Sequence, residues 1–143
     1  MTDCIFCKII EGQIPSAKVY EDDKVYAFLD ITQATPGHTL VIPKEHVSDI
    51  FQYDAQLAGE VFSRIPKIAK AIMGAYPQAK GMNLINNNGQ VAYQSVFHSH
   101  FHLIPRYSSD DPGFAIKFED HSADFPSEKL QEIATNIAKH IDE

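Results

Sequence analysis

Three histidines at alternate positions, His98, His100 and His102, offer the most chemistry in this sequence. They lie in Val96-Phe97-His98-Ser99-His100-Phe101-His102-Leu103-Ile104. On a strand, side chains alternate between faces, so the three imidazoles share one face while Phe97, Phe101 and Leu103 take the other. On a helix the same three would spread over about half the circumference and serve no single site. Near neutral pH an imidazole can ligate a metal, move a proton, or attack an electrophile as a neutral nucleophile. Polar groups in a core strand cost free energy, so three together point to function rather than packing. Two readings stand. In one, the histidines hold a catalytic metal, since His-x-His with a third His is a known zinc arrangement. In the other, one histidine attacks phosphorus and its neighbours bind the phosphate. Spacing does not choose between them.

A second chemical feature lies at the start of the chain. Cys4 and Cys7, the only cysteines, form a Cys-x-x-Cys pair. No basic stretch followed by an apolar one precedes them, so they read as a metal or redox pair with reduced thiols, in a cytoplasmic protein. No run of about 18 apolar residues exists, so no membrane partner is expected.

These groups need elements to hold them. Cys4–Ile10 reads as one or two helical turns stopped by Gly12. Lys18–Glu21 and Lys24–Asp30 read as strands around an Asp22-Asp23 turn. After the Pro36-Gly37 turn, His38–Pro43 is a β-branched run that reads as a buried strand. Asp54 is placed to cap a long helix with apolar positions Leu57, Val61, Ile65, Ile68 and Ile72 at helical spacing, and Pro66 predicts a kink or restart in it. Gly81–Asn87 is a further strand, 87–90 a turn, and Val96–Pro105 the histidine strand. Leu130, Ile133, Ala134, Ile137 and Ile141 mark one face of a last helix over about 127–142, with Ser127 near its start. The order predicts an antiparallel-rich α+β fold. At 143 residues the chain reads as a single domain, 1–143. Its net charge of -7 argues against a partner bound through a nucleic-acid backbone.

The histidine segment resembles the signature of the histidine triad (HIT) family, His-φ-His-φ-His-φ-φ with φ apolar; Ser99 is the one departure. Three further blocks resemble the family: 4–15, opening Cys-Ile-Phe-Cys; Phe28-Leu-Asp-Ile31; and Pro36-Gly-His-Thr-Leu-Val-Ile-Pro-Lys-Glu-His46. Gln94-Ser95-Val96-Phe97 leads into the triad, and several ordered blocks are far more specific than one motif. The likeness runs from Cys4 to about Arg106 and is closest to the Hint-like and related bacterial branch.

The resemblance implies a HIT-like fold, with a five-stranded antiparallel sheet, a long central helix and a C-terminal helix. It implies a hydrolase that cleaves the α-phosphorus bond of nucleoside phosphoramidates or AMP conjugates, with a purine nucleotide as partner. His100 is then the nucleophile, its other nitrogen donating to a backbone carbonyl, and His102 binds non-bridging phosphate oxygens. Ser95 contacts the leaving group, and Asn87 stands on the phosphate side. Gln94 is a weaker candidate that would otherwise bridge loops. Asp30 accepts from the ribose hydroxyls, as a carboxylate suits a vicinal diol. Phe6, Ile9, Ile14, Leu29 and Ile31 line the base pocket. The resemblance also implies a structural zinc on Cys4, Cys7, His46 and His98, no organic cofactor, and a homodimer with a shared sheet. His38 is given only a supporting place behind the triad strand; His121 and His140 are expected at the surface. A dinucleoside polyphosphate hydrolase and a non-catalytic nucleotide-binding scaffold are the alternatives.

Overall fold

The computed structural model describes residues 3–141. Its elements are α1 (Ile5–Ile10), β1 (Lys18–Glu21), β2 (Val25–Leu29), β3 (Thr39–Pro43), α2 (Ala55–Phe62), α3 (Ile65–Ala75), β4 (Gly81–Ile85), β5 (Phe101–Arg106) and α4 (Ser127–Ala138). The strands form one five-stranded sheet in the order β1-β2-β3-β5-β4. Every neighbouring pair is antiparallel, as the resemblance implies. No helix of the described residues is long and apolar enough to cross a membrane.

The strand alternation sorts side chains into two layers. On one face Val25, Ala27, Val41, Phe101 and Leu103 pack with Leu57, Val61, Ile65, Ile68 and Ile72 of α2 and α3. On the other, Tyr26, Phe28, Leu40 and Ile42 pack with Phe6 and Ile9 of α1. Each fully buried aliphatic or aromatic side chain contributes about 1.5–3 kcal/mol over exposure. The α2–α3 face carries the larger share of that burial, and a single six-residue helix covers the other. That thinner face is where the functional groups gather.

Pro66 produces a restart rather than a kink. α2 begins at Asp54, whose carboxylate accepts from the Leu57 N–H at 2.8 Å, and it ends at the Ser63 cap. α3 starts afresh at Ile65, with Pro66 in its first turn, where a missing N–H is harmless. The expected long helix is therefore two helices. The histidine strand is shorter than 96–105: the ladder starts at Phe101. Ser127 opens α4 from inside the helix and Pro126 takes the cap position, with no side-chain cap bond. The apolar face predicted for α4 exists, but Leu130, Ile133, Ile137 and Ile141 are all exposed.

Gly37 shows how tightly the turn before β3 is drawn. Its φ is +100°, and an added Cβ would meet Pro105 at 3.1 Å and the Tyr76 ring at 3.3 Å. Only glycine fits that backbone without strain. The turn delivers His38 to the head of β3. From the other side, the loop after β5 closes on the same turn. Tyr107 donates its hydroxyl proton to the Pro36 carbonyl, and Gly113 lies against the Ala34 backbone so closely that a Cβ has no room.

Candidate active site

The histidine segment leaves the ladder because its backbone groups are claimed elsewhere. The Ser99 N–H donates to the Val47 carbonyl at 2.7 Å. The Asn86 amide donates to the His100 carbonyl at 2.9 Å, and the His98 carbonyl accepts from the His100 ring at 2.8 Å. Ser99, the polar departure from the family pattern, is 1% exposed. Its hydroxyl pairs with that of Tyr53 at 2.9 Å, so the buried oxygen is satisfied. His102 alone lies on the strand, opposite Leu40 of β3, and so on the α1 face. The expected line of three imidazoles on one strand face is therefore a turn into a strand. The Phe6 ring packs edge-on against His100 and His98, with centroids 5.1 and 6.0 Å apart.

Hydrogen bonds fix which nitrogen of each imidazole carries the proton. His100 Nδ1 faces the His98 carbonyl and must donate to it, which leaves Nε2 with a free lone pair. The Ala34 N–H donates to His38 Nδ1 at 3.1 Å. The His38 proton is then on Nε2, which donates to His102 Nδ1 at 2.9 Å. His102 must therefore hold its own proton on Nε2. One histidine presents a lone pair and its neighbour an N–H, which suits attack on phosphorus and binding of a phosphate oxygen respectively. His38 is more than a support from behind, because it sets the tautomer of His102. Its only sequence signal is its place straight after a Pro-Gly turn.

Burial keeps these rings neutral. It lowers the pKa of His100 and of His38, and with His100 and His38 nearby it takes His102 down to about 4. Burial alone would raise Asp30, but the Thr32 hydroxyl and N–H outweigh it, and the carboxyl sits below its ordinary value. Asp30 Oδ2 lies 3.6 Å from His38 Nε2 and 4.0 Å from His102 Nδ1.

These groups open into a cleft of about 490 Å³. His100, His102, Asn87 and Ser95 border it. So do Asp30, Leu29, Ile31, Phe6 and Ile9. Ile31, 98% exposed, hangs over the rim. Two expected lining residues lie elsewhere. Ile14 packs into the α1 layer beneath the cleft. Gln94 is buried: it accepts from the Gly89 N–H and donates to the Ser48 and Val96 carbonyls. It bridges loops and does not border the cleft. Sequence reasoning passed over Tyr93, 87% exposed at the mouth in a left-handed conformation (φ +70°). It also passed over Asn86, whose role as clamp of the His100 carbonyl has no motif to announce it. His121 and His140 are exposed, as expected.

The first triad histidine belongs to a different cluster. His98 donates from Nε2 to the Pro43 carbonyl at 2.8 Å, so Nδ1 presents a lone pair. That nitrogen lies 3.4 Å from Cys4 Sγ and 3.6 Å from Cys7 Sγ. His46 Nδ1 is 3.4 Å from Cys7 Sγ. All four donor atoms lie within 4.8 Å of one another. Tetrahedral zinc with bonds of about 2.0–2.3 Å needs donors roughly 3.4–3.8 Å apart, so the set fits the metal in type and spacing. Burial and the neighbouring Cys4 push the Cys7 thiol up to about 11. Asp30, His38 and His102 form a second close group. It is not metal-competent, because the nitrogens His38 and His102 turn toward each other already share a proton. Among the described residues, no such group contains His100, which disfavours a catalytic metal held by the three triad histidines.

Comparison with known proteins agrees with this geometry. The HIT domain profile matches residues 11–109. The crystal structure of a HIT family member from Bacillus subtilis superposes with a TM-score of 0.93 at 52% identity, covering 97% of each chain. An adenosine 5'-monophosphoramidase from Candida albicans is 36% identical over 137 residues, 90% of each chain. A zinc-bound histidine triad family protein from Mycobacterium smegmatis superposes with a TM-score of 0.73 at 32% identity, over 94% of this chain and 98% of that one. With the triad, the sheet order and the aligned length in accord, the chain belongs to the histidine triad (HIT) family, in its Hint-like branch.

Proposed function

We propose that this chain hydrolyses nucleoside phosphoramidates or related AMP conjugates through a nucleotidyl-histidine on His100. Nucleotide hydrolysis as a class is supported by the likeness to a monophosphoramidase. One observation carries the finer reading: His100 Nδ1 is tied to the His98 carbonyl, so a neutral Nε2 lone pair borders the cleft. In this reading the purine lies against Phe6, Ile9, Leu29 and Ile31, and Asp30 accepts from the ribose hydroxyls. His102 Nε2 and Asn87 donate to the non-bridging phosphate oxygens. His100 Nε2 forms a bond to phosphorus as the P–N bond breaks; the amine nitrogen keeps that electron pair and takes one proton from the Ser95 hydroxyl, which takes a proton from solvent water in the same step. The His98 carbonyl stabilises the resulting imidazolium. Water then attacks phosphorus, the Nε2–P bond breaks, and AMP leaves while the water gives up a proton. One difficult displacement becomes two easier ones.

Cys4, Cys7, His46 and His98 would hold a zinc ion with no open position, which supplies cross-linking rather than water activation. The ion would join α1 to the segment that carries His100. The homodimer belongs to this proposal too. β4 is an edge strand and the apolar face of α4 is exposed; a second copy pairing at that edge lengthens the sheet and covers the helix. So do the single-domain organisation and the cytoplasmic setting with reduced thiols. The test is His100→Ala assayed on an adenosine phosphoramidate. Turnover is expected to vanish, and a rate near that of the unsubstituted protein overturns the covalent mechanism.

A further inference from the structure

Among the described residues, two other than glycine take a positive φ, Gln33 and Tyr93. Gln33, at φ +44°, stands in the 30–38 loop, which carries two groups of the candidate site. Asp30 borders the cleft at one end of the loop. His38, at the other end, donates to His102. Gln33 itself does not border the cleft. A positive φ costs free energy in a residue with a side chain, and it persists only where the surroundings hold it.

Here the Gln33 side chain does the holding. Its Nε2 donates to the Asp30 carbonyl and to the His38 carbonyl, each at 2.7 Å. Its Oε1 accepts from the Gly37 N–H at 2.9 Å. Both amide protons and the amide oxygen are therefore spent inside the loop. Main-chain bonds close the same neck: the Asp30 N–H donates to the His38 carbonyl at 3.0 Å, and the Gln33 N–H to the Asp30 carbonyl at 3.2 Å. The next residue, Ala34, gives its N–H to His38 Nδ1, the bond that puts the His38 proton on Nε2. One side chain thus spans the gap between the ribose-side carboxylate and the ring that orients His102. We infer that Gln33 is a positioning residue whose amide holds Asp30 and His38 as one rigid unit, so that ribose recognition and the His102 tautomer are set together. This role rests on the phosphoramidase reading and adds to it a residue outside the cleft.

The test takes Gln33→Ala and Gln33→Gly in the full chain. Alanine removes the amide and keeps the backbone strain. Glycine removes the amide and relieves the strain, so it is the variant expected to fold even where alanine does not. Each is assayed on an adenosine phosphoramidate and on its 2'-deoxy analogue. The ratio of the two kcat/KM values, ribose over deoxyribose, should fall about five- to tenfold in both variants, and kcat on the ribose substrate should fall about tenfold. Nitrogen NMR should show His102 as a single Nε2–H tautomer in the unaltered chain and as a mixture in both variants. Without any substitution, both side-chain protons of Gln33 should exchange slowly with solvent, and fast exchange overturns the clasp. An unchanged ratio with an unchanged His102 signal in either folded variant, whatever its melting temperature, overturns the positioning role. Movement of one readout without the other overturns the joint setting. No turnover by the unaltered chain overturns the phosphoramidase reading, and the His102 signal still decides the role of Gln33.

Discussion

His98 and His100 are two residues apart and face opposite tasks, and the difference between them lies in which nitrogen meets a backbone carbonyl. His98 donates from Nε2 to Pro43 and turns the Nδ1 lone pair toward two thiols. His100 donates from Nδ1 to His98 and turns the Nε2 lone pair toward the cleft. The two are linked in series, since the carbonyl that orients the second belongs to the first. In the proposed reading, a cluster that holds the chain together and a group that does chemistry share one backbone peptide. The lesson is that a histidine's work is assigned by its partner atom, not by its place in a motif.

The sharpest break in that comparison is a pair of substitutions. His100→Ala is expected to lower kcat/KM on an adenosine phosphoramidate by roughly 10⁴-fold or more while the fold melts near its usual temperature. Cys4→Ser with Cys7→Ser should do the reverse. It should abolish zinc uptake and lower Tm by about 10 °C, the scale set by a loss of ~3–4 kcal/mol in a domain of this size, and the activity that remains should track the folded fraction. Melting curves and zinc stoichiometry read both effects. Activity lost on chelation with no change in Tm would instead mark a catalytic metal.

A smaller effect is expected one bond further out. His38→Ala removes the donor that places the His102 proton on Nε2, and a fall of roughly 10- to 100-fold, mostly in kcat, should follow. His38→Gln, which keeps an amide donor, should recover part of it. Nitrogen NMR of the His102 ring gives a direct check, because the variant should lose its single-tautomer signature.

The smallest effect is in pH dependence. The pKa values of His100 and His102 are lowered in the fold, mainly by burial, that of His102 to about 4, so each ring takes up its proton below the ordinary histidine value of 6.5. kcat/KM should stay flat on acidification through 6.5 and fall only at lower pH. Stability carries the same sign. A ring whose folded pKa is depressed binds fewer protons than the unfolded chain, so its stability is complete above the unfolded value of about 6.5. That stability is lost as pH falls toward about 4, the folded value of His102. A midpoint of the acid limb at or above 6.5 would contradict this.

Much of the site was legible because its key groups lie in short, regular patterns. The alternate histidines and the Cys-x-x-Cys pair stand in plain sequence, and the β-branched run before Pro43 announced the strand that backs them. What could not be read depended on contacts between distant loops. Nothing local in 96–100 shows that Val47 and Asn86 take its backbone groups, so the sequence predicts a strand that starts too early. Gln94 lies one residue from Ser95, yet its amide is consumed by Gly89, Ser48 and Val96. The apolar period of α4 correctly predicts a helix but not what covers it, because periodicity records a face and not its partner.

The central claim is that His100 carries the nucleotidyl group. Quenching the enzyme with an adenosine phosphoramidate during turnover and sequencing the peptide that spans residues 96–106 by mass spectrometry tests it most directly. The account predicts a mass increase of one adenylyl group on His100 in the intact protein and none in His100→Ala. An adduct on His98 or His102, or full turnover with no adduct at any quench time, would contradict it.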